Sequence, residues 1–200
     1  MKATMISAML ACVCWTALAL EGQAQSSTPS FKEGPQFSVG YLYQGSQPTF
    51  GSSRFGLIGG RADMLLPFTR NFGLVTEFSG VHTGSVPGAG TGLTLSTYMA
   101  GPRISMPLRR GREVGRVVPF AQVLFGGVHG SGGLFPHGSM ISSSANSFAM
   151  SAGGGLQVGV SRKLSLRLVQ AEYLYTRLPN LLDNCQNSYR IGAGLVLRLR

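Results

Sequence analysis

The sequence predicts an all-β chain: an eight-stranded antiparallel up-and-down transmembrane β-barrel preceded by a cleaved signal peptide. Three observations carry this expectation. The C-terminal stretch alternates between an apolar set (Tyr189, Ile191, Ala193, Leu195, Leu197, Leu199) and a set of glycine and arginine with one valine (Arg190, Gly192, Gly194, Val196, Arg198, Arg200). In a strand these sets point to opposite faces. Charged residues make up only 12% of the chain against 44% hydrophobic, whereas soluble domains carry about 25% charge. Too little charge remains to cover an outside that meets water. Finally, no stretch beyond the N-terminus is an apolar run of the ~20 residues that a membrane helix needs. Moderate hydrophobicity without long runs is what alternating membrane strands produce.

Residues 1–24 read as a signal peptide. Lys2 supplies the positive start, Met5 to Leu20 the apolar region, and Gly22-Gln23-Ala24 a small-x-small cleavage site. The mature chain then begins at Gln25, with a Ser/Thr/Pro leader over 25–35 and the barrel over 36–200. Cys12 and Cys14 leave with the signal, so Cys185 is a lone loop cysteine without an intramolecular disulfide.

Strand one spans Gln36 to Gln44, with Phe37, Val39, Tyr41 and Tyr43 on one face. Strand two runs from Arg54 to Leu66, with Ile58, Met64 and Leu66 opposite Arg61 and Asp63. Strand three, Phe72 to His82, sets Phe72, Leu74, Thr76 and Phe78 against Val75, Glu77 and Ser79. Strand four, Leu93 to Met106, sets Tyr98, Ala100, Ile104 and Met106 against Thr97, Gly101 and Arg103, with Pro102 expected to mark a bulge. Strand five covers Val117 to His129, with Pro119 near its start. A glycine- and serine-rich stretch, Gly130 to Asn146, is expected as the longest loop, and strand six as Ser147 to Val160. In strand seven, Leu164 to Thr176, the parity slips between Leu168 and Ala171, which implies a bulge near Val169. Strand eight is the C-terminal stretch already described.

The connections alternate long and short, as in outer-membrane barrels with short periplasmic turns and longer outer loops. The turns at 67–71, 107–116 and 161–163 then lie inside, and the loops at 45–53, 83–92, 130–146 and 177–187 outside. With alternating strand direction, Tyr43, Phe148, Tyr175 and Tyr189 all reach the outer end, where an aromatic girdle belongs.

If the apolar faces meet lipid, the lumen holds Arg61, Asp63, Glu77, Arg103, Arg167, Glu172, Arg190 and Arg198. Eight strands leave an interior only wide enough to be filled by side chains, so these charges are expected to pair as a structural plug. Counting outward from Thr69 sets Arg61 directly opposite Glu77. Gly153 and Gly155 are expected to make room for large side chains from the opposite wall.

No cofactor, metal or catalytic group is expected. His82, His129 and His137 lack convergent metal ligands. The glycine-rich stretches lack the Lys-Ser/Thr and helix of a phosphate loop. The formal charge is +10, and losing Lys2 and Glu21 together leaves it unchanged. With no basic helix or nucleic-acid motif, anionic lipid head groups are the expected partner rather than nucleic acid.

Pro119 to Gly127, Gly153-Gly154-Gly155, Leu166 to Arg177 and strand eight together resemble the small eight-stranded outer-membrane barrels of the OmpA/OmpX type. The resemblance spans about Phe37 to Arg200. It implies residence in the outer membrane of a Gram-negative cell envelope, contact with outer-membrane lipid and lipopolysaccharide, insertion by the barrel-assembly machinery, and a monomeric, non-enzymatic surface role in which the loops could meet an extracellular ligand. These barrels usually end in an aromatic residue, and this chain ends Leu199-Arg200. Two alternatives stand beside this reading. One is a lipid A-modifying acyl hydrolase, because some such barrels carry a His-x-Ser pair and His129-Gly130-Ser131 has that form; its orienting acid is missing locally. The other is an exported soluble β-barrel binding a small apolar ligand, which requires polar outer faces.

Overall fold

Each alternating segment pairs with its neighbours in sequence, and the last pairs with the first. The computed structural model describes residues 34–46, 55–86, 91–108, 114–137, 140–178 and 185–199. The signal peptide, most of the leader and the remaining connections lie outside the described residues. The strands are β1 (Gln36–Ser46), β2 (Phe55–Pro67), β3 (Phe72–Thr83), β4 (Leu93–Ser105), β5 (Val117–His137), β6 (Met140–Gly159), β7 (Leu164–Thr176) and β8 (Gln186–Arg198). They form one closed antiparallel barrel in chain order. The seam runs in unbroken register from Gln36 opposite Arg198 to Ser46 opposite Ser188. Full closure leaves no sheet edge with unpaired backbone groups, the condition for crossing a bilayer as strands.

The two faces separate as the alternation demands. Tyr41, Ile58, Phe78, Tyr98, Phe125, Leu168, Tyr173 and Leu195 are exposed on the outside. Leu42, Arg61, Asp63, Glu77, Gln122, Glu172 and Arg190 are buried inside. The bulge in β7 lies where the parity slips. Leu156 faces Val169 while Gln157 faces Arg167, so β7 carries one unopposed residue, Leu168. Leu168 and Val169 therefore both point outward, and one extra residue restores the apolar face.

Three expectations are corrected. The stretch 130–146 is not a loop: β5 continues to His137 and β6 begins at Met140. Its Gly/Ser composition hid it, because a ladder standing in water needs no apolar face and so shows no alternation. The register shifts between Ser131 and Phe135, beside Gly132, whose φ of 84° suits a residue without Cβ. Pro102 marks no bulge. It faces Leu74 in continuous β3–β4 register, and the β4–β5 ladder skips Gly101 and Pro102 but resumes unshifted. A missing N–H removes a bond without displacing the chain. Lastly, the β2–β3 turn centres on Arg70, because Phe72 O accepts from both Phe68 N and Thr69 N, at 3.0 Å each. Arg61 therefore faces Ser79, and Glu77 faces Asp63.

Space at the seam depends on small residues. A Cβ on Gly40 would strike backbone atoms of Ala193 and Gly194 on β8, whereas one on Gly80 would meet nothing within 4 Å. Gly40→Val is therefore expected to abolish the heat-modifiable folded band on SDS gels. Gly80→Ala should leave that band and the urea midpoint unchanged. Equal behaviour of the two variants would show that the β1–β8 seam is looser than this close approach.

Candidate functional site

Inward residues from seven strands meet in one ionic network across the lumen. Arg167 on β7 grips Asp63 on β2 with two bonds, Nη1 to Oδ2 at 2.7 Å and Nη2 to Oδ1 at 3.1 Å. Such a fork is the strongest side-chain pairing geometry. Ser38 on β1 donates to the same carboxylate at 2.5 Å. Arg61 donates to Glu172 at 2.9 Å and reaches Glu77 at 3.5 Å. Glu172 also accepts from Gln122 at 2.8 Å and Gln170 at 2.6 Å. On the far side of Glu77, Arg190 lies 3.6 Å away and donates to Gln44 at 2.9 Å and Thr97 at 3.3 Å. Arg103 stacks over Phe120, 3.8 Å from the ring centroid; a desolvated cation over an aromatic face is stabilised by the ring quadrupole.

Seven of the eight expected charges are thus brought together in the lumen. Arg61 and Glu77 touch, but diagonally, because the turn shifts their register. Arg198 departs from the expectation. It lies half-buried at the inner rim, opposite Gln36 at the start of β1, below the network. Ser38, Gln44, Thr97, Gln122, Gln170 and Phe120 complete the network; their inward parity was legible, but their partners were not. Gly153 and Gly155 make room for side chains of adjacent strands rather than of the opposite wall. A Cβ there would meet Glu172 Cγ at 2.8 Å and Phe120 Cζ at 2.9 Å respectively. Between Ser38, Arg61, Arg167 and Gln170 no space for a water molecule remains. Towards the outer mouth, Leu57, Val81, Leu95, Leu124, Val128 and Leu174 fill the lumen as an apolar layer.

The outer surface has a sharp vertical boundary. On β4 and β5 the apolar outward stretch covers Tyr98 to Met106 and Pro119 to Gly127, about nine residues each. A tilted strand needs roughly 9–11 to cross a bilayer. Beyond that, outward positions become polar: His82 bonds Thr94 at 2.9 Å and His129 bonds Asn146 at 2.7 Å. The tyrosines gather just below. Tyr43 and Tyr189 are 6.5 Å apart as tilted rings, and Phe148 shares a ladder row with Gly127 and Tyr98. Tyr175 is half-buried, its hydroxyl 3.1 Å from Cys185 Sγ. The sequence reading missed Tyr98 as a member of this set. Its ring covers Gly127, as Tyr189 covers Gly45 and Tyr43 covers Gly56, a cross-strand packing that shields the glycine backbone.

His129 and Ser131 lie on the outward parity of β5, whereas Glu172 is buried in the lumen. The barrel wall separates this pair from that acid. No cluster of metal-ligating side chains occurs among the described residues.

No protein-family model matches the chain, and no curated protein is similar to it in sequence. Solved structures do match. Ail, the attachment invasion locus protein of Yersinia pestis, is 18% identical over 84% of this chain and 99% of its own, with a TM-score of 0.52. Neisserial surface protein A is 14% identical over 83% and 97%, with a TM-score of 0.62. Ail has also been solved in complex with the heparin analogue sucrose octasulfate, matching at 18% identity over 84% and 99% with a TM-score of 0.51. The fold is that of the small outer-membrane barrels.

Removing either member of the Arg167–Asp63 fork would strand the other charge in the buried interior, typically costing ~3–5 kcal/mol. Arg167→Met and Asp63→Leu are each expected to lower the urea midpoint of the micelle-folded barrel clearly. The double variant should cost less than the sum of the two. Strict additivity would show that the pair is not coupled.

Proposed function

We propose that this chain is a monomeric, non-enzymatic outer-membrane protein whose lumen charges are a structural plug and whose outer end serves surface interaction. The observation that carries the reading is the closed barrel with an apolar outward band about as tall as a bilayer and a filled, ion-paired interior. A soluble carrier of an apolar ligand would need the reverse arrangement, polar outside and hollow inside. The aromatic set Tyr43, Phe148, Tyr175 and Tyr189, joined by Tyr98, serves as the outer girdle. The barrel-assembly machinery inserts the chain, and lipid and lipopolysaccharide surround it.

Above the girdle, β5 and β6 stand out as the longest strands, at 21 and 20 residues. This hairpin is the natural contact element for an extracellular partner. The polyanion bound in the Ail complex is not carried over. Among the described residues the outer rim has one charged side chain outside the lumen, Arg177.

The membrane reading is tested by fractionation. The mature protein should stay in the membrane pellet through alkaline carbonate and migrate differently on SDS gels before and after boiling. Recovery from the soluble periplasmic fraction without detergent would overturn it. Planar bilayers should show no steady conductance. A large stable current would make the lumen a pore and its charges selectivity elements.

Purified barrel in detergent is expected to release no fatty acid from lipid A. A hydrolytic Ser-His pair needs an orienting third group, and His129 has Asn146 as its partner at 2.7 Å. Release that disappears in both His129→Ala and Ser131→Ala would establish the enzyme instead.

A further inference from the structure

Among the described residues, the two rims differ in charge. At the end carrying the short turns, the described residues include Arg70 between β2 and β3, Arg116 before β5, Arg162 and Lys163 between β6 and β7, and Arg198 closing β8. No Asp or Glu lies among the described residues of that rim. Arg70, Arg162 and Lys163 are exposed there.

The same turns expose large apolar side chains. Phe68 is 60% exposed, Leu108 68%, Val114 60%, Val160 52% and Leu199 56%. Apolar and cationic residues alternate closely: Phe68 with Arg70, Val114 with Arg116, Val160 with Arg162, Leu199 with Arg198. A rim standing in water gains nothing from such apolar exposure. A rim at the boundary between acyl chains and head groups accommodates both, the apolar group dipping inward and the long cation reaching outward.

We infer that this inner rim is a binding surface for anionic phospholipid head groups of the leaflet it meets. The guanidinium groups match phosphate oxygens in charge and in fork geometry. A carboxylate-bearing wall polymer would call for the cations but leave the exposed Phe, Leu and Val without a role. This inference rests on the membrane-barrel reading and names a lipid class for one end of it.

The test uses the mature protein folded in mixed micelles holding equal phosphatidylglycerol and phosphatidylcholine, with lipid adducts counted by native mass spectrometry. The wild type should retain phosphatidylglycerol preferentially. Each cation near an anionic surface contributes a factor of about five, so the triple variant Arg70→Gln, Lys163→Gln, Arg198→Gln should lower the preference roughly a hundredfold. If that variant does not fold, the wild type at 1 M salt decides the matter, because a Debye length of about 3 Å should erase the preference. Equal retention of the two lipids by a wild-type barrel that is heat-modifiable and inserts into neutral vesicles overturns this inference alone. Failure to insert at all overturns the membrane reading with it. Equal lipid retention combined with wild-type sedimentation on purified peptidoglycan, lost in the triple variant, would assign the rim to the cell wall.

Discussion

A lumen closed by eight strands is only wide enough to be filled by side chains, and most of this molecule follows from that constraint. A charge buried without water must find a partner or destabilise the fold by several kcal/mol. Hence Arg167 takes both oxygens of Asp63, and Arg61 and Arg190 flank Glu77 from two sides. Glu172 gathers an arginine and two glutamines. Four lumen arginines meet three acids, and the remaining cation, Arg103, lies over the face of Phe120. The pairs Arg167–Asp63 and Arg61–Glu172 join β7 to β2, strands far apart in sequence, so they form only as the barrel closes.

Lipid replaces water as the solvent on the outside, and the inversion of faces follows. Apolar side chains exposed there cost nothing in hydrocarbon, whereas an unpaired backbone group would. Closure satisfies the backbone, and the extra residue at Leu168 and Val169 keeps the apolar face continuous where the alternation slips. Tyrosine rings laid over Gly45, Gly56 and Gly127 fill the outer surface at the level where apolar outward positions end.

The two ends answer to different surroundings. At the outer end, β5 and β6 run on as a ladder with histidine, serine and asparagine on its outward side, suited to water. At the inner end, short turns combine cations with exposed apolar groups. Among the described residues outside the lumen, the inner rim holds five cations and the outer rim one.

Period-two alternation carried most of the fold. Tyr189 to Leu199, Phe37 to Tyr43 and the slip after Leu168 show it plainly, because in lipid each outward position must be apolar and each inward one need not be. The same parity assigned Arg61, Asp63, Glu77, Arg103, Arg167, Glu172 and Arg190 to the lumen. It could not extend β5 and β6 past Gly130, because outside the membrane neither face is constrained. Beyond Arg61 with Glu77, it could not tell which charges touch. Parity names a face, whereas partners depend on register, and the β2–β3 register was settled by Phe72 O accepting two bonds in the turn. The grip of Arg167 on Asp63, across 104 residues of chain, exists only because eight strands close into a tube narrow enough for β2 and β7 to meet across it.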